Sequence, residues 1–343
     1  MGNAQRVDRG RAVAAELAAA ERAPSAFLAG SNVVGLGSAS SDIDVYLIGP
    51  GWVERRRQLH AGGTRVDVQT LASERLDALV DQVLGADSLP ERDLVLAVRL
   101  LTGDVVVDDG ALAGLRKRLA GRPLSLRRLV IGGWAATAYS AVEDVAGLRD
   151  SADQIDRDAA VLAGRRALLA AGKAIAASGG DLYYGDKWVG HQVARTVPAA
   201  FPFDRYRRLS LHGAFDALPE IVALVQSCLA AALTVGWWGV SLEHWPDWPG
   251  GGGALRRAVD VLPGNAGPAM VLIGPGGRTF HVPASALLVW GLCASTSIDQ
   301  VTDRAVALAP LAEPWQRLDR LRVRSAVREL AAAGLIAGAD DEV

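Results

Sequence analysis

Gly30 to Gly49 reads GSNVVGLGSASSDIDVYLIG, a loop of small residues running straight into an apolar strand that carries Asp42 and Asp44. No other stretch constrains the fold as tightly. Strand interiors are depleted in Asp, and side chains at i and i+2 of a strand point to one face. The two aspartates therefore project together, with Ile43, Val45 and Leu47 on the opposite, core-facing side. Carboxylates so placed repel each other unless a cation lies between them. Mg²⁺ suits them, being a hard ion held by one or two carboxylates plus substrate phosphates. The loop ahead offers Gly30, Gly35 and Gly37 for tight turning, and Ser31, Ser38, Ser40 and Ser41 as small donors. Such a loop brings backbone N–H groups close to phosphate oxygens. Asp67, in the following strand TRVDVQTL (Thr64–Leu71), would place a third carboxylate over the same site. Two-metal phosphoryl chemistry needs such a set.

These residues resemble the signature of the DNA polymerase β-like nucleotidyltransferases, in which a Gly-Ser pair is followed, after about ten residues, by Asp-apolar-Asp-apolar. Here Gly30-Ser31 precedes Asp42-Ile43-Asp44-Val45. The resemblance covers roughly Ala23–Leu71 and implies that Gly30 and Ser31 hold a nucleoside triphosphate. It implies too that Asp42 and Asp44 bind Mg²⁺, with Asp67 as the third carboxylate and a candidate for taking the acceptor's proton. Ser41 joins the triphosphate cradle. One departure stands out: many small members carry Arg after the Gly-Ser pair, and here the residue is Asn32. Phosphate charge must then be met elsewhere. GGDLYYGDKWVGHQVART (Gly179–Thr196) is the place to look, because it resembles the Tyr-x-x-x-Lys helix start of antibiotic-type members. Lys187 would contact the triphosphate, and Tyr183 or Tyr184 would stack on the base or touch the acceptor. His191, one turn on, reads as a helix-surface residue.

The rest of the chain supplies the setting. Half of the 343 residues are hydrophobic, enough for a sizeable core, and the length allows two or three domains. An Ala-rich helix is expected over 9–22, ended by Pro24. Amphipathic helical spacing begins at Ser73 and dominates 112–238. EHWPDWPGGGG interrupts it as a linker. Beyond it, AMVLIGPGGRTFHV predicts a hairpin turning at Gly274–Gly277, followed by three helices. The expected architecture is α+β: a small mixed-sheet nucleotidyltransferase domain (1–108), a helical-bundle substrate domain (109–242), a linker (243–254) and a winged-helix-like domain (255–343). The last resembles the PqqD-like peptide-chaperone fold, resting on apolar pattern with Trp290, Cys293 and Gly334-Leu335-Ile336. That resemblance implies docking of a peptide as an added strand.

Lys+Arg 36 against Asp+Glu 38 argues against a broad nucleic-acid or membrane surface. Arg320, Arg322, Arg324 and Arg328 are where a DNA role would show. Cys228 and Cys293 read as buried free thiols in a cytoplasmic protein. The opening MGNAQRVDRGRA has no apolar h-region, and the longest apolar run, IVALVQSCLAAALTVGWWGV, is broken by Gln226 and Ser227. Arg207 and His212 satisfy the short Arg-x4-His pattern of HEPN-type ribonucleases, a pattern that chance explains. Trp237, Trp238, Trp245 and Trp248 cluster near the linker, as interface packing or as an aromatic acceptor site. Three functional classes stay open: an enzyme acting on small molecules or natural products, a peptide- or protein-modifying enzyme, and a non-catalytic nucleotide-binding regulator.

Overall fold

Alternation builds the first sheet. In a computed structural model that describes residues 3–38, 40–246, 248 and 253–338, helix α1 (Asn3–Glu21) lies on one face of five strands: β1 (Ser25–Ala29), β2 (Ile43–Gly49), β3 (Arg55–Ala61), β4 (Thr64–Ala72) and β5 (Asp104–Val107). Helices α2 (Ser73–Gly85) and α3 (Glu91–Thr102) precede β5, and α4 (Ala111–Ala120) follows it. Ile43, Val45 and Leu47 point one way and are buried with Val66, Val68 and with Ala14 and Ala18 of α1. Small residues on α1 let the helix sit close, as at Gly10 against Leu28 and Ile43. The helix begins at Asn3, earlier than the expected 9.

The strand order is β3-β4-β2-β1-β5. Only β2 and β4 run parallel; the other neighbours are antiparallel, so the sheet is mixed. β3 was not foreseen. Its sequence RRRQLHA has no apolar alternation, because it is an edge strand whose charges face water. Arg57, on the helix side of β3, pairs with Glu21 of α1.

The chain separates into two units, Met1–Leu129 with Leu182–Trp188, and Val130–Asp181 with Val189–Val343. Helix α5 (Pro123–Leu148) starts in the first and continues in the second. The second unit holds α6 (Gln154–Ser178), α7 (Val189–Thr196), α8 (Phe203–His212) and α9 (Leu218–Ala231). Asp153 caps α6, its side chain accepting from the Ile155 and Asp156 amides. The α6 face is Ala and Gly, and Gly164 lies so close to Leu218 that a Cβ there would meet it at 2.7 Å. Phe215–Gly236 is long and apolar enough to cross a membrane, yet 83% of its apolar window is buried inside this unit. It is a core element. Cys228 and Cys293 are free and buried, as expected, and burial pushes the Cys228 thiol up to about 12.

Further along the second unit come β6 (Leu255–Arg257), β7 (Leu262–Ala266), β8 (Ala269–Ile273), β9 (Thr279–Val282), α10 (Ala284–Leu292), β10 (Ala294–Thr296), α11 (Ile298–Leu308), α12 (Arg320–Ala332) and β11 (Ile336–Ala337). The expected β8–β9 hairpin and three helices are present in order. Strands β6, β7, β10 and β11 are additional, giving sheets β7-β8-β9 and β10-β6-β11. Of the expected linker, 247 and 249–252 lie outside the described residues, while Trp245 is fully buried and Trp248 packs edge-on to Phe201 at 4.7 Å. The indoles at 237 and 245 are buried packing residues of this unit. On α12, Arg320 pairs with Asp303, Arg324 with Asp299 at 2.6 Å, and Arg322 with Asp319 at 3.8 Å. Its basic row is largely neutralised. Arg207 and His212 are both exposed on α8.

Candidate functional site

Strand register assembles the carboxylates. Asp44 of β2 stands directly across from Asp67 of the parallel β4, and Gln58 of β3 continues the row on the other side of Asp67. The next row on the same face is Tyr46, Gln69 and Arg56. This is the sheet face opposite α1, and Asp44, Tyr46, Arg56, Gln58, Asp67 and Arg99 line a groove of about 580 Å³ on it. Asp42 lies one residue ahead of β2, its carbonyl accepting from Asn32 Nδ2 at 2.6 Å.

Gly30 closes β1 with φ +89°, a conformation that side chains resist, and a Cβ there would overlap Asp44 Oδ2. The turn after it is tied by the Leu36 amide donating to the Ser31 carbonyl at 2.8 Å. Ser31 and Ser41 are both buried. Ser41 Oγ accepts from the Ser38 amide at 2.9 Å, and Arg6 donates to the Ser41 carbonyl at 2.8 Å. Ser41 thus shapes the loop.

Two arginines that the sequence did not single out meet the three carboxylates. Arg65, two residues before Asp67 on β4, bridges Oδ2 of Asp42 and Oδ2 of Asp67, the latter at 2.9 Å. Arg99 of α3 lies 3.4 Å from Asp44 and donates to the Tyr46 hydroxyl. Tyr46 in turn stacks on Phe27, centroids 4.7 Å apart. Burial pushes the Asp44 carboxyl above the ordinary carboxylate range; Arg99 opposes this, and the neighbouring Asp42 and Asp67 add to it. Burial works against the Arg99 guanidinium, but Asp44 and Tyr46 hold it above its ordinary value. Asp67 Oδ1 is dry and has no hydrogen-bond partner. Among the described residues no three His, Cys, Asp or Glu side chains close round one point as a metal cage; the cation that spans Asp42 and Asp67 is Arg65.

The segment Leu182–Trp188 belongs to this unit, which brings Tyr183 to the site from far along the chain. Its hydroxyl is hydrogen-bonded with Ser31. Burial raises its pKa, countered by Arg99 and by that bond, and Asp44 and Asp42 raise it further. Tyr184 is buried, and burial together with Glu91 pushes it up to about 12. Lys187 sits on the turn Asp186–Trp188 that leads into α7, as the helix-start pattern requires, but it is exposed, with its ammonium 5.3 Å from the Trp188 ring centroid. His191 is exposed on α7. The structure therefore gathers Gly30, Ser31, Asp42, Asp44, Asp67 and Tyr183, and leaves Lys187 at the surface. Arg65 had a legible signal, because Arg-x-Asp on one strand shares a face. Arg99, Arg56 and Tyr46 had none.

Comparison with known proteins finds no matching family and no matching curated protein. Among solved structures the chain is similar to a nucleotidyltransferase-like protein from Exiguobacterium sibiricum 255-15, at 12% sequence identity and a TM-score of 0.38, over 66% of this chain and 75% of that one. A likeness that distant leaves the site's own geometry to carry any functional reading.

Proposed function

We propose that the protein is a Mg²⁺-dependent nucleotidyltransferase that moves a nucleoside monophosphate, AMP from ATP foremost, to a hydroxyl or phosphate of a small molecule or natural product and releases pyrophosphate. The register of Asp44 against Asp67 across β2 and β4 carries this reading, with Asp42 joined to Asp67 through Arg65. The donors are of the type a hard cation takes, carboxylate oxygens with one unpartnered at Asp67 Oδ1, although among the described residues no three of them converge on one point. Asp42, Asp44 and Asp67 would hold the cation. Bound Mg²⁺ would supply Lewis acidity, lowering the pKa of the acceptor hydroxyl and neutralising the leaving pyrophosphate.

The chain's own residues do the rest. The Gly30–Ser31 turn offers backbone N–H groups to the triphosphate, and Gly30 has no side chain to block the approach to Asp44. Tyr183, hydrogen-bonded with Ser31, fixes that turn. Ser41 supports the loop from within, and Lys187 reaches for the triphosphate from the surface. The acceptor oxygen attacks the α-phosphorus, the bond from that phosphorus to pyrophosphate breaks, and the acceptor's proton passes to Asp67 or to water. Polar groups at Gln58, Gln69 and Arg56 suit a polar acceptor in the groove.

Thermal melting with ATP, GTP, CTP and UTP, each with Mg²⁺, tests the reading. A nucleotide at about 100 times its Kd stabilises by about 2.7 kcal/mol. One of the four should raise the melting point of the parent and fail to do so with Asp42→Asn. No response from any of them, or equal responses in both proteins, overturns the reading.

A second reading, modification of a peptide, has one observation in its favour. We take residues 255–338 as a winged-helix-like, PqqD-like module, and among the described residues β9 is paired on β8 alone. That edge offers a place for an added strand. A peptide substrate would slow hydrogen exchange of β9 amides, and a small acceptor would leave them unchanged.

A further inference from the structure

Arg65 is placed as no ordinary surface arginine is. Its guanidinium reaches two carboxylates from separate stretches of chain at once, Asp42 just ahead of β2 and Asp67 two positions along its own β4. Its side chain is 48% exposed, so it can leave by swinging into water without unpacking the core. The carboxylates it spans are more covered, at 29% and 28% exposed. The oxygen of Asp67 that Arg65 does not use is dry and without a hydrogen-bond partner. A guanidinium is thus doing the charge balancing that a divalent ion would do.

We propose that Arg65 is a resident counter-ion that occupies the Asp42–Asp67 pair when no divalent cation is bound, and that a cation must displace it to load the site. The inference rests on the nucleotidyl-transfer reading for the identity of the cation. It makes Arg65 a positioning residue: it holds Asp42 and Asp67 together across one guanidinium, and it sets the cation concentration at which the site fills. A competitor that is bound most of the time lowers apparent affinity by the fraction of time the site stands open. Displacement also frees a charged fork beside the groove, where phosphate oxygens are natural partners for it.

The probe is Mg²⁺ alone, titrated without nucleotide into protein stripped with EDTA, and read as melting temperature. For Arg65→Gln the Mg²⁺ midpoint should fall about tenfold below the parent's, as expected for a bridge closed about nine-tenths of the time. The EDTA form of this variant should melt lower than the parent and recover with Mg²⁺. Arg65→Lys keeps the charge but cannot span both carboxylates, so its midpoint should lie between the two; it also serves if Arg65→Gln fails to fold. Adding Asp42→Asn to Arg65→Gln should erase the gain and so locate the ion. Equal midpoints in parent and variants, or no Mg²⁺ response in any of them, overturns the inference. Failure of the nucleotidyl-transfer reading looks different: a Mg²⁺ response that depends on Arg65, with no response to any triphosphate.

Discussion

Gly30 and Asp44 share one small space: a Cβ on Gly30 would overlap the Oδ2 of Asp44, so the site keeps its carboxylate in place only because residue 30 has no side chain. Gly30→Ala therefore meets two penalties. The backbone at φ +89° costs about 1–3 kcal/mol for a residue with a side chain, and Asp44 must move. Gly35 separates them, since it has φ +75° with nothing within 4 Å of its would-be Cβ. Gly35→Ala should lower the melting point but keep the nucleotide response, whereas Gly30→Ala should lose both. Equal nucleotide responses in the two variants would show that the overlap has no bearing on the site.

Asp44 gives the protein a definite pH signature. Its carboxyl is raised above the ordinary value, by burial first. A raised acid contributes stability that is present below the ordinary carboxylate pKa of about 4, and that is lost as pH climbs through the raised value. Without divalent cation, Asp44→Asn should melt at or above the parent at pH 7, and the difference should close as pH falls below about 4. A parent that gains on the variant between pH 4 and 7 would contradict the raised value.

Arg99 is the compensating charge for Asp44, at 3.4 Å, and it also holds the Tyr46 hydroxyl. Arg99→Met should cost about 2 kcal/mol at pH 7, in the range for a hydrogen bond to a charged group that leaves its partner unsatisfied. The loss should shrink in acid, where Asp44 is protonated. Melting curves at pH 7 and pH 4 give the comparison.

Tyr183→Phe removes the bond with Ser31. A loss of about 1 kcal/mol is expected, with a weaker response to nucleotide than the parent shows. An unchanged nucleotide midpoint would relieve Tyr183 of any part in shaping the turn.

Both cysteines are buried and free, and burial raises the Cys228 thiol to about 12. Native protein should leave both unreacted toward a thiol reagent at pH 8, and denatured protein should expose two. Early reaction in the native state would place one of them nearer the surface.

The sequence announced β2 and the Gly30 turn because their chemistry is local: two aspartates at i and i+2, and glycines where a bend is needed. The β8–β9 hairpin and the helices after it were legible for the same reason, since period and turn residues lie side by side along the chain. What stayed hidden depends on register and distance. β3 reads as a charged run because an edge strand can carry arginines on both faces. Asp44 and Asp67 could be assigned to neighbouring strands, but their direct alignment appears only once β2 and β4 pair in parallel. Arg99 comes from a helix 55 positions beyond the aspartate it neutralises, and no pattern in α3 marks it apart from its neighbours. Strands β6, β10 and β11 have two or three residues each, too few to show a period.

The first unit recruits Leu182–Trp188 after the chain has left it for more than fifty residues. No single cut can therefore excise the site whole. A fragment ending at Leu129 would retain every carboxylate and still lack Tyr183, the partner of Ser31. Anyone moving this site into another scaffold would have to carry two pieces of polypeptide, and would have to supply a return path between them.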